Sequence, residues 1–200
     1  MNHSALFIFG FQNDFSSLGN ASVEGFENIS DKIEAISPLW TNLVVINENH
    51  PADHISFAAC HPWRKPTQVI NIGNISQYLW PIHCVSGTIG VFNTPWLKNK
   101  NPFIIQKGKQ SEIDIFSAFD PSNVGKSSLT EYLKNHQIKH LYLTGFPLEY
   151  EIKETCIDAL RLAYKVTLIT DGILSLDPNK QQGIYDELLA LGANIIPYPV

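Results

Sequence analysis

Short, nearly continuous apolar runs alternate with helical patterns from one end of this chain to the other, and that alternation restricts the fold more than any other feature. The runs are Ala5–Phe11, Leu43–Glu48, Phe103–Gln106, His140–Gly145, Lys165–Thr170 and Asn194–Tyr198. Each is short and rich in β-branched or aromatic residues, the pattern of strands buried on both faces. Between them, Ile29–Ile36 repeats isoleucine at helical spacing, and Ser128-x-x-Glu131 forms a capping box that opens a helix over Leu129–His136. Asp177-Pro178, followed by Tyr185, Leu188, Leu189 and Gly192, supplies an N-cap, a first-turn proline and a terminal glycine. Strand and helix in alternation imply an α/β fold with a mostly parallel sheet covered by helices on both faces. Ligands in such sheets bind at the carboxyl ends of the strands.

The chain has 200 residues, which suits a single domain over 1–200. Its 14 basic and 19 acidic residues give a net charge of −5, and no basic run exceeds the Arg64–Lys65 pair, so nucleic acid is not an expected partner. No apolar run reaches the ~20 residues of a membrane span. The start, MNHSALFIFGF, lacks the basic region and cleavage site of a signal peptide and reads as a strand. Cys60, Cys84 and Cys156 are too widely spaced for a disulfide framework or a zinc knuckle. The expectation is a soluble, cytoplasmic protein that binds neither membrane nor nucleic acid.

One stretch, Asn49–Asn101, lacks regular periodicity, carries proline and tryptophan, and holds four of the seven histidines. Loops of such length in a small domain are usually functional. Glu48-x-His50-x-x-x-His54 runs directly off the second strand, and His83 follows in Trp80-Pro-Ile-His-Cys84. Alternation along an extended segment puts Glu48 and His50 on one side. A carboxylate and imidazoles converging at a strand end suit Zn²⁺, Fe²⁺ or Mn²⁺. Spacing alone equally allows surface histidines in a polar loop. Lys107 ends the third strand and either approaches the same crevice or is an exposed strand-end lysine. Gly10 and Asp14 lie in FGFQNDF at the end of the first strand, where aspartate commonly caps a turn. Phe15 and Trp80 either line an apolar pocket for a flat ring or belong to the core.

The segment Gly145–Thr155, GFPLEYEIKET, leaves a strand, turns, and enters a helix near Glu151. Unpaired N–H groups at such a helix start favour developing negative charge, which is where many α/β hydrolases carry a nucleophile. Here the residue is a glutamate. Cys156 lies about 140° farther round the helix, on a core stripe with Ile152, Ala159, Leu160 and Ala163. Cys84 follows His83 and is a lesser thiol candidate, and Cys60 has no strand-to-helix context.

Taken together, FQNDF (11–15), HPADHISFA (50–58), WPIHCVSGT (80–88), QKGKQSEIDIFSAF (106–119), GFPLEYEIKET (145–155) and LRLAYKVTLITDGI (160–173) resemble, in this order, the motifs of nicotinamidases. That family of isochorismatase-like cysteine hydrolases cleaves nicotinamide and pyrazinamide. The resemblance spans nearly the whole chain. It implies a three-layer α/β/α domain with a six-stranded sheet, one divalent metal beside a pocket for a ring carboxamide, and assembly into a homo-oligomer. It places metal ligands at Glu48 (aspartate in the family), His50 and His83, with His54 matching a ligand of only some members. Phe15 and Trp80 match the pocket walls, and Lys107 the catalytic lysine. Zinc is the first choice of metal, with iron or manganese as alternatives.

The family attacks the amide with a cysteine thiolate tuned by an aspartate and a lysine. By the same resemblance, the aspartate position is Gly10 and the cysteine position is Glu151, fixed by Gly145 six residues before and Thr155 four after. Phe146-Pro147 falls on the family's cis peptide, and proline removes the N–H that would face an oxyanion, a loss typically worth ~10²–10³ in rate. The expectation is a nicotinamidase-like protein that has lost thiol-dependent hydrolysis, with Glu151 and Lys107 forming an ion pair. The alternatives are a metal-dependent hydrolase with Glu151 as general base, and a still active nicotinamidase using Cys84 or another route.

Overall fold

The computed structural model describes residues 3–73, 75–125 and 128–198. In chain order the elements are β1 (Ser4–Phe9), α1 (Phe26–Ile36), β2 (Asn42–Glu48), β3 (Val69–Ile72), β4 (Ile75–Tyr78), α2 (Pro95–Lys98) and β5 (Phe103–Lys107), then β6 (Val124–Gly125), α3 (Leu129–Asn135), β7 (His140–Gly145), α4 (Lys153–Arg161), β8 (Lys165–Ile173), α5 (Pro178–Ala190) and β9 (Asn194–Ile196). The main sheet runs β6-β5-β2-β1-β7-β8-β9, parallel throughout except for β6, which is antiparallel to β5. All six expected strands are present. The seventh is a two-residue edge with no apolar run to announce it, so the expected count of six becomes seven.

Side chains of β1 alternate between two cores. Ala5, Phe7 and Phe9 join Val44, Ile46, Leu141 and Leu143 on the face covered by α3, α4 and α5. Leu6 and Ile8 join Val45 and the α1 stripe Ile29, Ile33 and Ile36 on the other. Phe7, Phe9, Leu6 and Ile8 are all wholly buried, each worth ~1.5–3 kcal/mol relative to exposure. Truncating Phe7 to alanine would cost ~3–5 kcal/mol, cavity included.

Helix boundaries follow local chemistry. Ser128 Oγ accepts the Glu131 N–H at 3.2 Å, as a capping box requires, and Asp177 caps α5 by accepting the Asn179 N–H at 3.1 Å. Ile152, just before α4, and Cys156 and Ala159 within it are buried and Leu160 packs against the core, but Ala163 lies beyond the helix, exposed, with φ +63°. The apolar stripe therefore ends one turn earlier than its periodicity suggests.

The irregular stretch 49–101 is partly ordered into the antiparallel hairpin β3–β4 and the short α2. Hairpin residues Val69–Ile72 alternate exposed and half-buried positions, so they carried too little apolar signal to stand out.

Candidate functional site

Parallel pairing brings the carboxyl ends of four strands level. Glu48 stands opposite Lys107 in the β2–β5 register, and Phe9 opposite Gly145 in β1–β7. Gln12, wholly buried, clamps the end of β2: its side-chain amide donates to Glu48 O (2.7 Å) and Val91 O (2.9 Å), while its Oε1 accepts the Glu48 N–H (2.7 Å). His50 and His83 meet through a short parallel bridge, in which the His50 N–H donates to Cys84 O at 2.9 Å and the Ser86 N–H to His50 O at 2.8 Å.

The five charged or imidazole side chains converge in one buried cluster. Glu48 Oε2 is 3.3 Å from His50 Nε2 and 2.5 Å from His83 Nε2. Lys107 Nζ lies 2.9 Å from Glu48 Oε1 and 2.7 Å from Glu151 Oε1, and donates to Ile115 O at 3.3 Å. Relative exposures run from 1% at His50 and Lys107 to 7% at Glu48, with Glu151 at 2%. Two expectations thus meet geometry: Lys107 points into the crevice rather than to solvent, and it pairs with Glu151.

Electrostatics separate the two glutamates. Burial works to raise Glu48, yet Lys107 and the histidines overcome it and hold the carboxyl well below its ordinary range. Burial raises Glu151 well above that range, against the pull of Lys107 and helped by a hydrogen bond with Glu48. For Lys107, burial favours the neutral form, but Glu151 and Glu48 outweigh it and the ammonium is strongly retained. Opposite displacement of neighbouring carboxyls is the general consequence of like charges sharing a dry site.

The donor set fits a divalent cation. One ligand atom each from Glu48, His50 and His83 lies within 4.8 Å of the others. His50 Nδ1 is held by Gly108 O (3.0 Å) and His83 Nδ1 by Pro81 O (2.7 Å), leaving both Nε2 atoms for the centre. Backbone carbonyls orient metal-binding imidazoles in this way. Gly108, at φ +73°, leaves the His50 ring the room that a side chain would occupy. Glu48 Oε2 is buried and takes no well-formed hydrogen bond. His54 stands apart: its ring packs on His50 at 4.1 Å, but Nδ1 is engaged by Ser56 Oγ (2.7 Å) and Nε2 by Ile113 O (3.2 Å).

Aromatic rings wall the cluster off. Phe15 and Trp80 pack on His83 at 5.4 and 5.9 Å, and a recess of about 270 Å³ opens between Phe15, Tyr78, Trp80, Pro81 and Phe146. Tyr150 meets Trp80 edge to face, with ring centroids 5.8 Å apart. Glu151 itself enters from a turn of π-helix, Leu148–Ile152, in which the Ile152 N–H reaches back to Pro147 O at 3.3 Å. Such turns are frequent at functional sites because the wider winding redirects a side chain. Phe146–Pro147 is cis. Gly10 sits at φ +68°, and a Cβ there would lie 2.6 Å from Phe146 O.

None of the thiols joins the cluster. Cys84 is buried with its thiol pushed well up by burial, and its N–H donates to the Asp14 carboxylate at 2.7 Å. Asp14 also accepts the Asn20 N–H at 3.3 Å, so its capping role extends to a tie across 70 residues of chain. Burial raises Cys156 to about 12, and Cys60 is exposed. Gln12, Tyr78, Tyr150 and Asp114, whose carboxylate accepts from Gln77 Nε2 at 2.7 Å, were not singled out from sequence. Only the motif context FQNDF and IDIF marks two of them, Gln12 and Asp114.

An α/β/α fold with a buried Glu-His-His-Lys centre at its strand ends defines the class, and the chain belongs to the isochorismatase domain family, which matches residues 4–197. Within it, the chain is 33% identical over 198 residues to the nicotinamidase of Acinetobacter baylyi, covering 98% of this chain and 92% of that one. It is also 33% identical to the nicotinamidase of Saccharomyces cerevisiae, over 96% of this chain and 98% of the relative. The crystal structure of the yeast nicotinamidase bound to the inhibitor nicotinaldehyde superposes with a TM-score of 0.85 at 30% identity, covering 96% and 99% of the two chains. No helix among the described residues is long and apolar enough to cross a membrane.

Proposed function

We propose that this chain is a nicotinamidase-family protein that keeps the metal centre and the aromatic recess but has lost hydrolysis of nicotinamide by a thiol. The carrying observation is Glu151: it occupies the position the resemblance gives to the nucleophilic cysteine, and it is buried with its carboxyl 2.7 Å from Lys107 Nζ. A carboxyl in that place neutralises the lysine and supplies no thiolate. Glu48, His50 and His83 would hold the divalent ion, zinc first, and the ion when bound would act as a Lewis acid. Phe15 and Trp80 would face a flat ring carboxamide, the kind of ligand the named relatives act on.

Ammonia release from nicotinamide by purified, zinc-loaded protein tests this reading. The expected rate is that of buffer, with turnover gained on combining Glu151→Cys, Gly10→Asp and Pro147→Ala. Robust wild-type turnover would overturn it. Gly10→Asp alone is expected to fail, because the added side chain meets Phe146 O at positive φ.

A second reading has its own support. The raised Glu151 carboxyl, with Oε2 unpartnered, suits a general base acting on water in a metal-dependent hydrolase. Screening small amides and esters before and after chelation separates the two: turnover that vanishes with the metal and with Glu151→Gln would favour this one. Turnover that survives both, but not thiol alkylation, would instead point to a cysteine route through Cys84.

A further inference from the structure

We infer that the aromatic recess is one half of a longer site, and that the groove beside it, which carries Arg64, takes a phosphate borne by the ring ligand. The inference deepens the reading above and rests on it in one respect, that a flat ring carboxamide occupies the recess.

The groove, of about 580 Å³, shares Asn20, Pro66, Trp80 and Pro81 with the recess and adds Ala58, Arg64 and Ile82. Its floor is built into the fold. Phe57 pairs with Trp80 in a short parallel bridge, where the Trp80 N–H donates to Ser56 O at 2.8 Å and the Ala58 N–H to Trp80 O at 2.9 Å. The segment that carries Arg64 is pinned on both sides, by the His61 ring on Ile55 O at 2.7 Å and by the Thr67 N–H on Leu79 O at 2.7 Å. Sites for drug-sized molecules span ~300–1,000 Å³. A ligand confined to the recess, about 270 Å³, would leave the adjoining space unfilled.

Charge selects what fills it. Among the described residues, neither cavity is lined by a carboxylate, and Arg64 supplies the only cation. Its guanidinium pairs with no acid among those residues, whereas the chain's other arginine, Arg161, holds Asp158 at 3.1 Å. Lys65 follows it, and the two are the only consecutive basic residues in a chain of net charge −5. Such a chain repels anions at a distance, so it holds one only where a local cation outweighs the field. Phosphate carries nearly two charges at neutral pH and meets a guanidinium through two parallel N–H donors. The ligand class is therefore a ring carboxamide with a phosphate on a short polar linker, which would pass the Asn20 amide common to both cavities.

Calorimetric titration of the full-length, zinc-loaded protein with nicotinamide, nicotinamide riboside and nicotinamide mononucleotide tests this. The last two differ by the phosphate alone. The mononucleotide should bind at least ~5-fold more tightly than the riboside, the size expected of a charge-assisted hydrogen bond discounted for solvent exposure, and the gap should narrow with salt. Arg64→Ala should erase the gap and Arg161→Ala should keep it; both side chains are exposed, so neither change threatens the fold. Equal affinities in the wild type, a gap that survives Arg64→Ala, or one that Arg161→Ala also erases would overturn the inference. Nicotinamide itself reads the recess. If it binds while the mononucleotide gains nothing over the riboside, the groove fails and the recess stands; if none of the three binds, both fail. Ammonia release from the same samples reads the loss of hydrolysis separately, since turnover with the phosphate preference intact sinks that reading alone.

Discussion

Replacing Lys107 with methionine should be far more damaging than its place at a strand end suggests. The ammonium is 1% exposed and lies between two carboxyls, at 2.7 Å from Glu151 and 2.9 Å from Glu48. Methionine fills much of the volume of the aliphatic stem, so the loss is chiefly electrostatic. Removing one partner from a buried ion pair typically costs ~3–5 kcal/mol, because the remaining charge is stranded. Here two acids are stranded together, and proton uptake is their only relief. Glu151 already holds a proton more tightly than an ordinary glutamate, so the cost should reach at least ~3 kcal/mol at pH 8 and shrink toward pH 5. For a chain of this size that corresponds to a fall in Tm of ~6–12 °C. Urea unfolding with chelator present would measure it, for Lys107→Met, Glu151→Gln and the double variant. Coupling of at least ~1 kcal/mol should appear, the double variant being more stable than the single losses sum to. A loss under ~1 kcal/mol at pH 8, or simple additivity, would refute the argument.

Acid should destabilise the fold through His54. Burial, aided by His50, lowers this imidazole to about 3, so the unfolded chain binds its proton first as pH drops below 6.5, and stability declines between 6.5 and about 3. Equilibrium unfolding of His54→Gln should show a flatter pH dependence across that window; an unchanged slope would count against it. Gln12→Ala strands the Glu48 N–H, Glu48 O and Val91 O, and should cost at least ~2 kcal/mol in denaturant melts. It should also weaken zinc binding ~10-fold or more, since a ligand loses its backbone clamp. Ser128→Ala removes the α3 cap and should cost ~1 kcal/mol by thermal melting, with zinc affinity unaltered.

The sheet was legible because each central strand must be apolar on both faces, and the caps at Ser128 and Asp177 because they satisfy local donors. What sequence could not convey is whatever depends on distant backbone. β6 is two residues whose pairing is decided by its neighbour β5, and β3 exposes two of its four side chains. Glu48, His50, His83 and Lys107 were nameable from spacing and resemblance, yet their meeting depends on the β2–β5 register and on the bridge from His50 to Val85. His54 illustrates the limit: its spacing suits a ligand, but Ser56 and Ile113 engage both its nitrogens. Glu151 was predicted to pair with Lys107 and does; its nearness to Glu48 follows from the π-helical turn, which no residue pattern declares.

The left-handed Gly10 has a consequence for redesign of the site. A Cβ at that position would lie 2.6 Å from the carbonyl of Phe146, and φ is +68°, so the backbone itself excludes an acid there until the 146–147 turn shifts. Any single substitution that adds a side chain at position 10 therefore passes through a strained, less stable chain. Position 10 and the 146–147 turn are thus linked through the main chain, and neither can change its backbone without the other.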